Sequence, residues 1–199
     1  MKLLNLILRR RRTAPGPVPR ARAFARDARG VTAIEFALLA PPFFAIVLAI
    51  IETALVFMAA EIFDSAVHDA NRAIMTGRAQ AQSATLEGYR DMVCDHTFGM
   101  LDCDAIHIVV SPVGDFASAS PPPPVPSDCS EQDCRWTEEE AFDPGGGSSV
   151  VLVRAYYRWP VVINFFGVGM ANLPDNTRLL ASVRVFRNEP FTWRSGGGS

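Results

Sequence analysis

The pattern of apolar and polar positions divides the chain into a long helical part followed by a strand-rich part. Glu35 and Glu52 are the only charged residues between positions 31 and 60. An α-helix rises about 1.5 Å per residue, so the stretch from Val31 to Glu52 spans roughly 31 Å, close to the roughly 30 Å hydrocarbon thickness of a bilayer. The pattern therefore predicts a transmembrane helix over residues 31–53.

The apolar run also permits two alternatives to a transmembrane helix. A buried helix of a soluble protein has a similar composition, although soluble cores rarely contain an apolar run of this length. A secretory signal cut at an Ala-x-Ala site is the second alternative. The sequence "ALLAPP" (37–42) is a poor site of that kind, and the apolar run continues beyond it.

Pro41 and Pro42 lie in the middle of the predicted span. Each proline lacks a backbone N–H donor, and its ring clashes with the carbonyl group one turn earlier, so we expect a kink or a loosened turn near Leu38. Neighbouring helices in a membrane assembly can accommodate such a defect.

The rest of the chain predicts one further helix and a small sheet. Residues 54–84 carry apolar side chains at three- and four-residue steps, which predicts an amphipathic continuation of the helix; this stripe consists of Leu55, Met58, Ile62, Ala66, Ala70 and Ala73. A short second helix is expected near residues 85–98. Segments rich in β-branched and aromatic residues predict strands at 105–111, 149–159 and 178–187. The expected fold is α+β, with a long N-terminal transmembrane and amphipathic helix packed on a small antiparallel β-sheet.

An insert at residues 118–149 separates the first two predicted strands. It contains four consecutive prolines from Pro121, an acidic stretch and the sequence "GGGSS". Such a composition cannot bury a core, and it predicts an exposed, partly extended loop. Calcium binding by Asp128, Glu131 and Asp133 is an alternative, although the spacing of these acids does not match an EF-hand.

A second apolar stretch lies outside the predicted span. The sequence "FFGVGM" (165–170) follows "RWPVVIN". It is expected either in the core of the sheet or in a surface patch that docks a partner or enters the membrane surface. Residues 192–199 end in "SGGGS" and are expected to form a flexible tail.

Charge is distributed unevenly along the chain. The net charge is −2, but residues 1–29 hold nine basic residues and one acid, Asp27, so the remainder carries −10. A basic segment beside a membrane span stays on the cytoplasmic side, which places the chain after Glu52, with the predicted domain at residues 54–191, on the opposite side of the membrane. The acidic remainder argues against nucleic acid as a partner.

The four cysteines fall in two closely spaced pairs, Cys94 with Cys103 and Cys129 with Cys134. In an oxidising compartment this spacing favours two local disulfides, although the sequence alone permits three connectivities. A zinc site built from the first pair with His96 and His107 is an alternative, but its spacing fits no standard zinc finger.

Glu35 is the residue of the predicted span that most needs a partner. A carboxylate near the bilayer centre costs roughly 2.5 to 3.5 kcal/mol, and the local sequence supplies no cation. Cleavage after Gly30 would create one, because the new α-amino group of Val31 would lie one helical turn from Glu35, or opposite the Glu35 of a neighbouring subunit. The alternative is that the Glu35 side chain extends to the cytoplasmic headgroups.

Several segments resemble one known family. A basic leader ending in Gly30 and followed by "VTAIEF" (31–36) resembles the class III leader-peptide site of type IV pilins and pseudopilins, which prepilin peptidase cuts after the glycine. The segment "EFALLAPPFFAIVLAIIE" (35–52) resembles the membrane segment of TadE-like proteins, minor pseudopilins of the tight-adherence (Flp) pilus. The resemblance continues in the first cysteine pair and in "ANRAIMTGRA" (70–79), "VLVRAYYRWP" (151–160) and "RVFRNEPF" (184–191). The leader is long for this family, and the insert matches no part of it.

The resemblance implies a type IV pilin-like fold and removal of residues 1–30 by cleavage between Gly30 and Val31. The residues expected to contribute to helix packing and assembly are Glu35, Phe36, Pro41, Pro42 and Glu52. The implied location is the inner membrane, crossed once, with the C-terminal domain in the periplasm. The implied partners are prepilin peptidase, other minor pseudopilins, the major Flp pilin, the inner-membrane pilus assembly platform and membrane lipid.

The sequence predicts a structural protein rather than an enzyme, and no cofactor is expected. The histidines are scattered, and neither a Gly-x-Ser-x-Gly motif nor a phosphate-binding loop is present. Two functions stay open: a minor pseudopilin needed for pilus assembly, or a permanently anchored periplasmic protein that binds a ligand through the acidic insert. They differ at Gly30, since only the first requires cleavage there.

Overall fold

The computed structural model describes residues 30–82, 84–130, 133–162 and 169–192. It divides the chain into two compact units, Met1–Ile46 and Val47–Ser199. In chain order, the described residues form α1 (Val31–Met75), α2 (Arg78–Ala81), α3 (Leu86–Cys94), a 3₁₀ turn (Cys103–Ala105), β1 (His107–Val113), β2 (Ala141–Phe142), β3 (Val150–Pro160) and β4 (Thr177–Arg187).

The described part of the first unit contains the beginning of α1. Its large apolar side chains are exposed, as illustrated by Phe36 at 68% and Leu38 at 71%. Pro41 and Pro42 lie inside α1, and the helix continues through both; the kink expected near Leu38 stays a prediction. Within the described part of the chain, α1 is the helix that is long and apolar enough to cross a membrane, which is consistent with a single-pass membrane protein.

The sheet of the second unit has the order β2-β1-β3-β4. β1 and β4 both pair with β3 in antiparallel orientation, and the register runs from Val150↔Arg187 to Pro160↔Thr177 between β3 and β4. These strands begin and end within two residues of the predicted bounds, because β-branched and aromatic residues are concentrated in all three. The predicted α+β architecture, a long helix with a small sheet, is confirmed.

The insert contributes one strand that the sequence pattern does not predict. β2 has only two residues and runs parallel to β1, with Val109 opposite Ala141 and Val110 opposite Phe142. The sheet is therefore mixed rather than purely antiparallel. The insert therefore joins the sheet at residues 141–142 and is not a solvated loop over its whole length.

The core lies between the C-terminal half of α1 and one face of the sheet. α1 buries small and apolar residues at helical spacing: Ala59, Phe63, Ala66, Val67, Ala70, Ala73 and Ile74. The strands contribute alternate residues that point to the same face, namely Ile108, Val110, Val151, Val153, Ala155 and Tyr157. Full burial of a side chain such as valine or phenylalanine contributes about 1.5 to 3 kcal/mol, so this face is the main source of the unit's stability.

The predicted apolar stripe of α1 is wrong at its beginning. Leu55 and Met58 are 42% and 45% exposed, whereas Val56 and Ala59 are buried. All four residues are apolar, so the spacing alone does not reveal which of them face the sheet. The stripe is correct at Ala66, Ala70 and Ala73, which are buried, because polar residues there mark the opposite side of the helix.

α1 ends at Met75, earlier than the predicted continuation to residue 84, because the chain turns at Gly77. This glycine has φ +76°, and its N–H group donates to the carbonyl of Ile74 at 3.1 Å. A Cβ atom on Gly77 would lie 2.7 Å from Cδ1 of Phe191. Gly147 also lies close to Phe191, since a Cβ atom on Gly147 would lie 2.1 Å from the carbonyl oxygen of Phe191.

The segment after β4 closes the unit against the end of α1. Asn188 is buried and donates its side-chain amide to the carbonyls of Pro144 and Gly146 at 2.9 and 3.0 Å. The N–H group of Glu189 donates to the carbonyl of Met75 at 2.9 Å. This bond provides a partner for one of the last carbonyls of α1, which lack partners within the helix.

We predict that Gly77→Ala destabilises the full chain by more than the 1 to 3 kcal/mol or so that a positive φ costs a residue with a side chain. The excess arises because the new Cβ also collides with Phe191. Gly99→Ala is the matched control, since Gly99 has φ +71° and open space around its Cβ position. Thermal unfolding in detergent measures both variants. Equal losses would show that the Phe191 contact adds nothing.

We also predict that the double variant Cys94→Ser, Cys103→Ser is less stable than the parent by about 2 to 3 kcal/mol on chain-entropy grounds. This disulfide closes a separation of 9 residues beside buried Val93 and Leu101. Denaturant unfolding of the full chain in detergent measures the loss. A variant as stable as the parent would show that this loop needs no covalent closure.

Candidate assembly site

The predicted processing position lies immediately before α1. Val31 is the first residue of the helix and is 46% exposed. Gly30 precedes it and is exposed, and a Cβ atom on Gly30 would meet nothing within 4 Å. The fold therefore does not require a glycine at position 30.

The predicted packing residues of the first unit are all on the surface of α1. Glu35, Phe36, Pro41 and Pro42 are exposed. Glu35 follows Val31 by four residues, so the two lie one helical turn apart. In the described part of the chain, Glu35 has no hydrogen bond or ion pair.

Glu52 has a different environment from the other predicted packing residues. It lies in the second unit, is 9% exposed, and accepts a hydrogen bond from the N–H group of Val162 at 2.6 Å. These residues are 110 positions apart in the sequence. Glu52 thus connects α1 with the loop that follows β3, and its role in contacts with other subunits stays a prediction.

Further polar contacts fix the later part of α1. Asp64 accepts a hydrogen bond from the hydroxyl of Ser182 at 2.7 Å and forms an ion pair with Arg184, both on β4. Asn71 accepts a hydrogen bond from the Tyr89 hydroxyl at 2.7 Å, and both side chains are buried. Burial raises the pKa of Tyr89, so this hydroxyl stays a donor at neutral pH.

Part of the insert packs on the face of the sheet that points away from α1. We call residues 136–140 the outer strap. The Trp136 ring stacks on the His107 ring with centroids 4.6 Å apart, and the Arg158 guanidinium lies 4.4 Å from the centroid of Trp136. Stacking and cation–π contacts of this kind each contribute about 0.5 to 1.5 kcal/mol.

Two glutamates of the outer strap bind basic groups of the folded unit. Glu138 forms an ion pair with Arg154, whose side chain is almost fully buried. Glu140 accepts hydrogen bonds from Arg90 on α3 at 2.7 and 2.8 Å and from the N–H group of Ile108 on β1 at 3.0 Å. Part of the insert's negative charge is therefore used within the chain.

The titration of His107 reflects this packing. Burial lowers the pKa of His107, and the nearby Arg158 acts in the same direction, while Glu140 and Glu138 oppose the shift. Burial is the largest cause, so His107 remains neutral to a lower pH than an exposed histidine does.

The spacing of residues in the outer strap predicts its contacts with the folded unit, although the overall composition of the insert does not. Trp136, Glu138 and Glu140 alternate with Thr137 and Glu139 in the sequence. Alternate residues of an extended chain lie on one side, so this spacing indicates that the first three side chains can contact the folded unit together. The count of acids in this segment suggests a solvated loop, whereas their spacing indicates contacts with the folded unit.

The cysteines form two disulfides, Cys94 with Cys103 and Cys129 with Cys134. The first pair therefore has no free thiolate for the alternative zinc site. Asp133, one of the three acids considered for calcium, pairs with Arg135 at 2.9 Å. Most of "FFGVGM" (165–170), the leader, Glu131 and nearly all of the C-terminal tail lie outside the described residues.

Comparison with known proteins identifies one family. Residues 30–72 match the model of the TadE-like protein family, so the TadE-like resemblance is confirmed for this segment. The match begins at Gly30 and links the chain to the tight-adherence pilus system. No curated protein and no solved structure matches the chain. The resemblance of the later segments, including residues 184–191, stays a prediction.

We predict that His107 makes stability depend on pH. The pKa of His107 is lowered in the folded chain, so the unfolded chain binds the proton more readily. The stability that neutral His107 contributes is therefore fully present well above the unfolded pKa of about 6.5. It is lost as the pH falls through that value. The melting temperature should fall between about pH 7.5 and 5.5, and this slope should be smaller in His107→Gln. The matched control is His68→Gln, at an exposed position. Parallel slopes for parent and His107→Gln would contradict the assignment.

Proposed function

We infer from the TadE-like segment at residues 30–72 that this chain is a minor pseudopilin of the tight-adherence (Flp) pilus. In this proposal it is processed by prepilin peptidase and is needed to initiate or assemble the pilus. The observation that supports it most directly is the start of the family match at Gly30, the residue immediately before α1.

The proposed location is the inner membrane, crossed once by residues 31–53. The nine basic residues before Gly30 favour a cytoplasmic N-terminus, because excess Lys and Arg beside a span stay inside. The second unit then lies in the periplasm. Its two disulfides fit an oxidising compartment.

Cleavage after Gly30 changes the charge at the start of α1. It removes the nine basic residues and leaves an ammonium group on Val31. Glu35 is exposed one turn later, so it can pair with the Val31 ammonium group of an adjacent subunit as the helices bundle. Such a pair lowers the cost of holding the Glu35 carboxylate in the membrane, and it favours association of processed subunits.

The exposed apolar surface of α1 supplies the rest of the proposed assembly contact. Phe36 extends from the helix beside Glu35, while Pro41 and Pro42 create a defect that neighbouring helices accommodate. The proposed partners are prepilin peptidase, other minor pseudopilins, the major Flp pilin, the inner-membrane assembly platform and membrane lipid. The core and polar contacts of the second unit are made within the chain, so it can keep its fold while α1 changes neighbours.

The decisive experiment is intact-mass analysis of protein from cells that contain prepilin peptidase. The mature chain is expected to begin at Val31. Gly30→Ala should reduce or block cleavage, because the peptidase site accepts only a residue without a side chain. The fold should be unaffected, since a Cβ atom at position 30 meets nothing within 4 Å.

Glu35→Gln tests the charge pair without changing the size of the side chain. We expect normal membrane insertion and cleavage, but a loss of co-purification with partner pilins. Glu61→Gln is the matched control, because Glu61 is an exposed glutamate of the same helix that lies outside the predicted span and is not among the predicted packing residues. If the mature chain still begins at Met1 and Glu35→Gln assembles normally, the pseudopilin mechanism is wrong, and a permanently anchored binding protein becomes the favoured function.

A further inference from the structure

The exposed apolar side of α1 continues beyond the predicted end of the membrane span at residue 53. Leu55, Phe57 and Met58 are 42%, 58% and 45% exposed. The next residue of this side that carries a charge is Glu61, which is also exposed. The change from an apolar to a charged surface therefore lies between Met58 and Glu61.

The extra length of this apolar side matches the headgroup layer of a bilayer. From Glu52 to Met58 the helix rises roughly 9 Å at 1.5 Å per residue. The hydrocarbon layer is about 30 Å thick, and the bilayer with its headgroup regions is about 40 to 45 Å thick, so each headgroup region adds about 5 to 8 Å. If the span ends at residue 53 as predicted, residues 55–58 fall at the depth of the headgroups.

The loop after β3 adds an apolar side chain at the same level. Val162 is 87% exposed, while its neighbour Val161 is buried. The hydrogen bond from the Val162 N–H group to the Glu52 carboxylate, at 2.6 Å, holds this residue beside α1 just before Leu55. The same bond provides a partner for a carboxylate near the membrane boundary, which lowers the cost of burying it there.

We propose that Leu55, Phe57, Met58 and Val162 form an interfacial contact with the lipid headgroup layer, so that the second unit lies directly on the membrane surface. This proposal rests on the proposed function, since it requires that α1 crosses the membrane. A lipid surface is favoured over a protein partner because the exposed residues continue the apolar side of the span to the depth at which a bilayer ends. Glu52 acts as a positioning residue for Val162.

The test uses full-length protein reconstituted in vesicles of phosphatidylethanolamine and phosphatidylglycerol. Single cysteines are introduced as Val162→Cys, Phe44→Cys and Ala117→Cys, and each is labelled with a fluorophore whose emission shifts to the blue in apolar surroundings. The native cysteines are in disulfides and do not react. Quenching is compared between lipids with a nitroxide at the headgroup and lipids with a nitroxide near the end of the acyl chain.

The label at position 162 should shift to the blue and should be quenched more strongly by the headgroup nitroxide. The label at position 44, within the predicted span, should be quenched more strongly by the deep nitroxide. Ala117 is exposed in the loop after β1, and its label should show neither effect. Adding Glu52→Ala to Val162→Cys should reduce the headgroup quenching, whereas Glu52→Gln should preserve it.

The three labels distinguish failure of the interfacial contact from failure of the membrane anchor on which the proposed function depends. Quenching at position 44 with no quenching at position 162 would overturn the interfacial contact and leave the membrane anchor intact. Stronger deep than headgroup quenching at position 162 would also overturn it. Quenching at position 162 without quenching at position 44 would overturn the membrane anchor and, with it, the interfacial contact as proposed. No quenching at either position would also overturn both.

Discussion

The close packing of α1 against the sheet is the contact on which the second unit depends. Four of the α1 residues in this interface are alanines, at positions 59, 66, 70 and 73. Each alanine buries little apolar area, so the larger Phe63, Val67 and Ile74 supply most of the apolar surface of this side of the helix. In such an interface even one added methyl group is felt, because protein interiors are packed at crystal-like density. The helix thus carries a small-residue face for its own sheet.

Polar contacts at the edge of this interface determine how the helix is placed. Asp64 binds Ser182 and Arg184 on β4, while Asn71 binds Tyr89 on α3. A helix rotated away from this arrangement would lose these partners. An unpaired buried polar group such as Asn71 costs about 1 to 3 kcal/mol, so the rotated arrangement would be less stable. The apolar face supplies most of the stability, and the polar contacts select one orientation.

The strands could be predicted from the sequence because β-branched and aromatic residues mark β1, β3 and β4 directly. The buried side of α1 could be predicted only where polar residues mark its other side, as at His68 and Asp69. Near Leu55 every side of the helix is apolar, and periodicity does not distinguish a surface that faces lipid from one that faces protein. The helix ends where Gly77 turns the chain with a positive φ, and Phe191, which is distant in the sequence, leaves no room for a side chain at that turn.

The candidate site was less predictable than the fold. Gly30, Val31 and Glu35 could be selected because their order resembles a leader-peptide site, and the family match begins at the first of them. The partner of Glu52 is 110 residues away, and no local pattern indicates it. The acidic composition of the outer strap predicts a solvated loop and conceals the alternation that brings its side chains to the sheet. Composition describes the average environment of a segment, whereas spacing describes which side chains act together.

The position of β4 at the end of the described elements has a consequence for biogenesis. β3 forms its longest pairing with β4, and Asn188 joins the segment at Pro144 and Gly146 only after β4 is complete. During synthesis, α1 emerges first and exposes its alanine face long before its covering strands are all present. Contacts this distant in sequence also form slowly. The newly made chain therefore passes through an interval in which an apolar helix face is uncovered, and contacts between neighbouring chains compete with folding until the last strand is present.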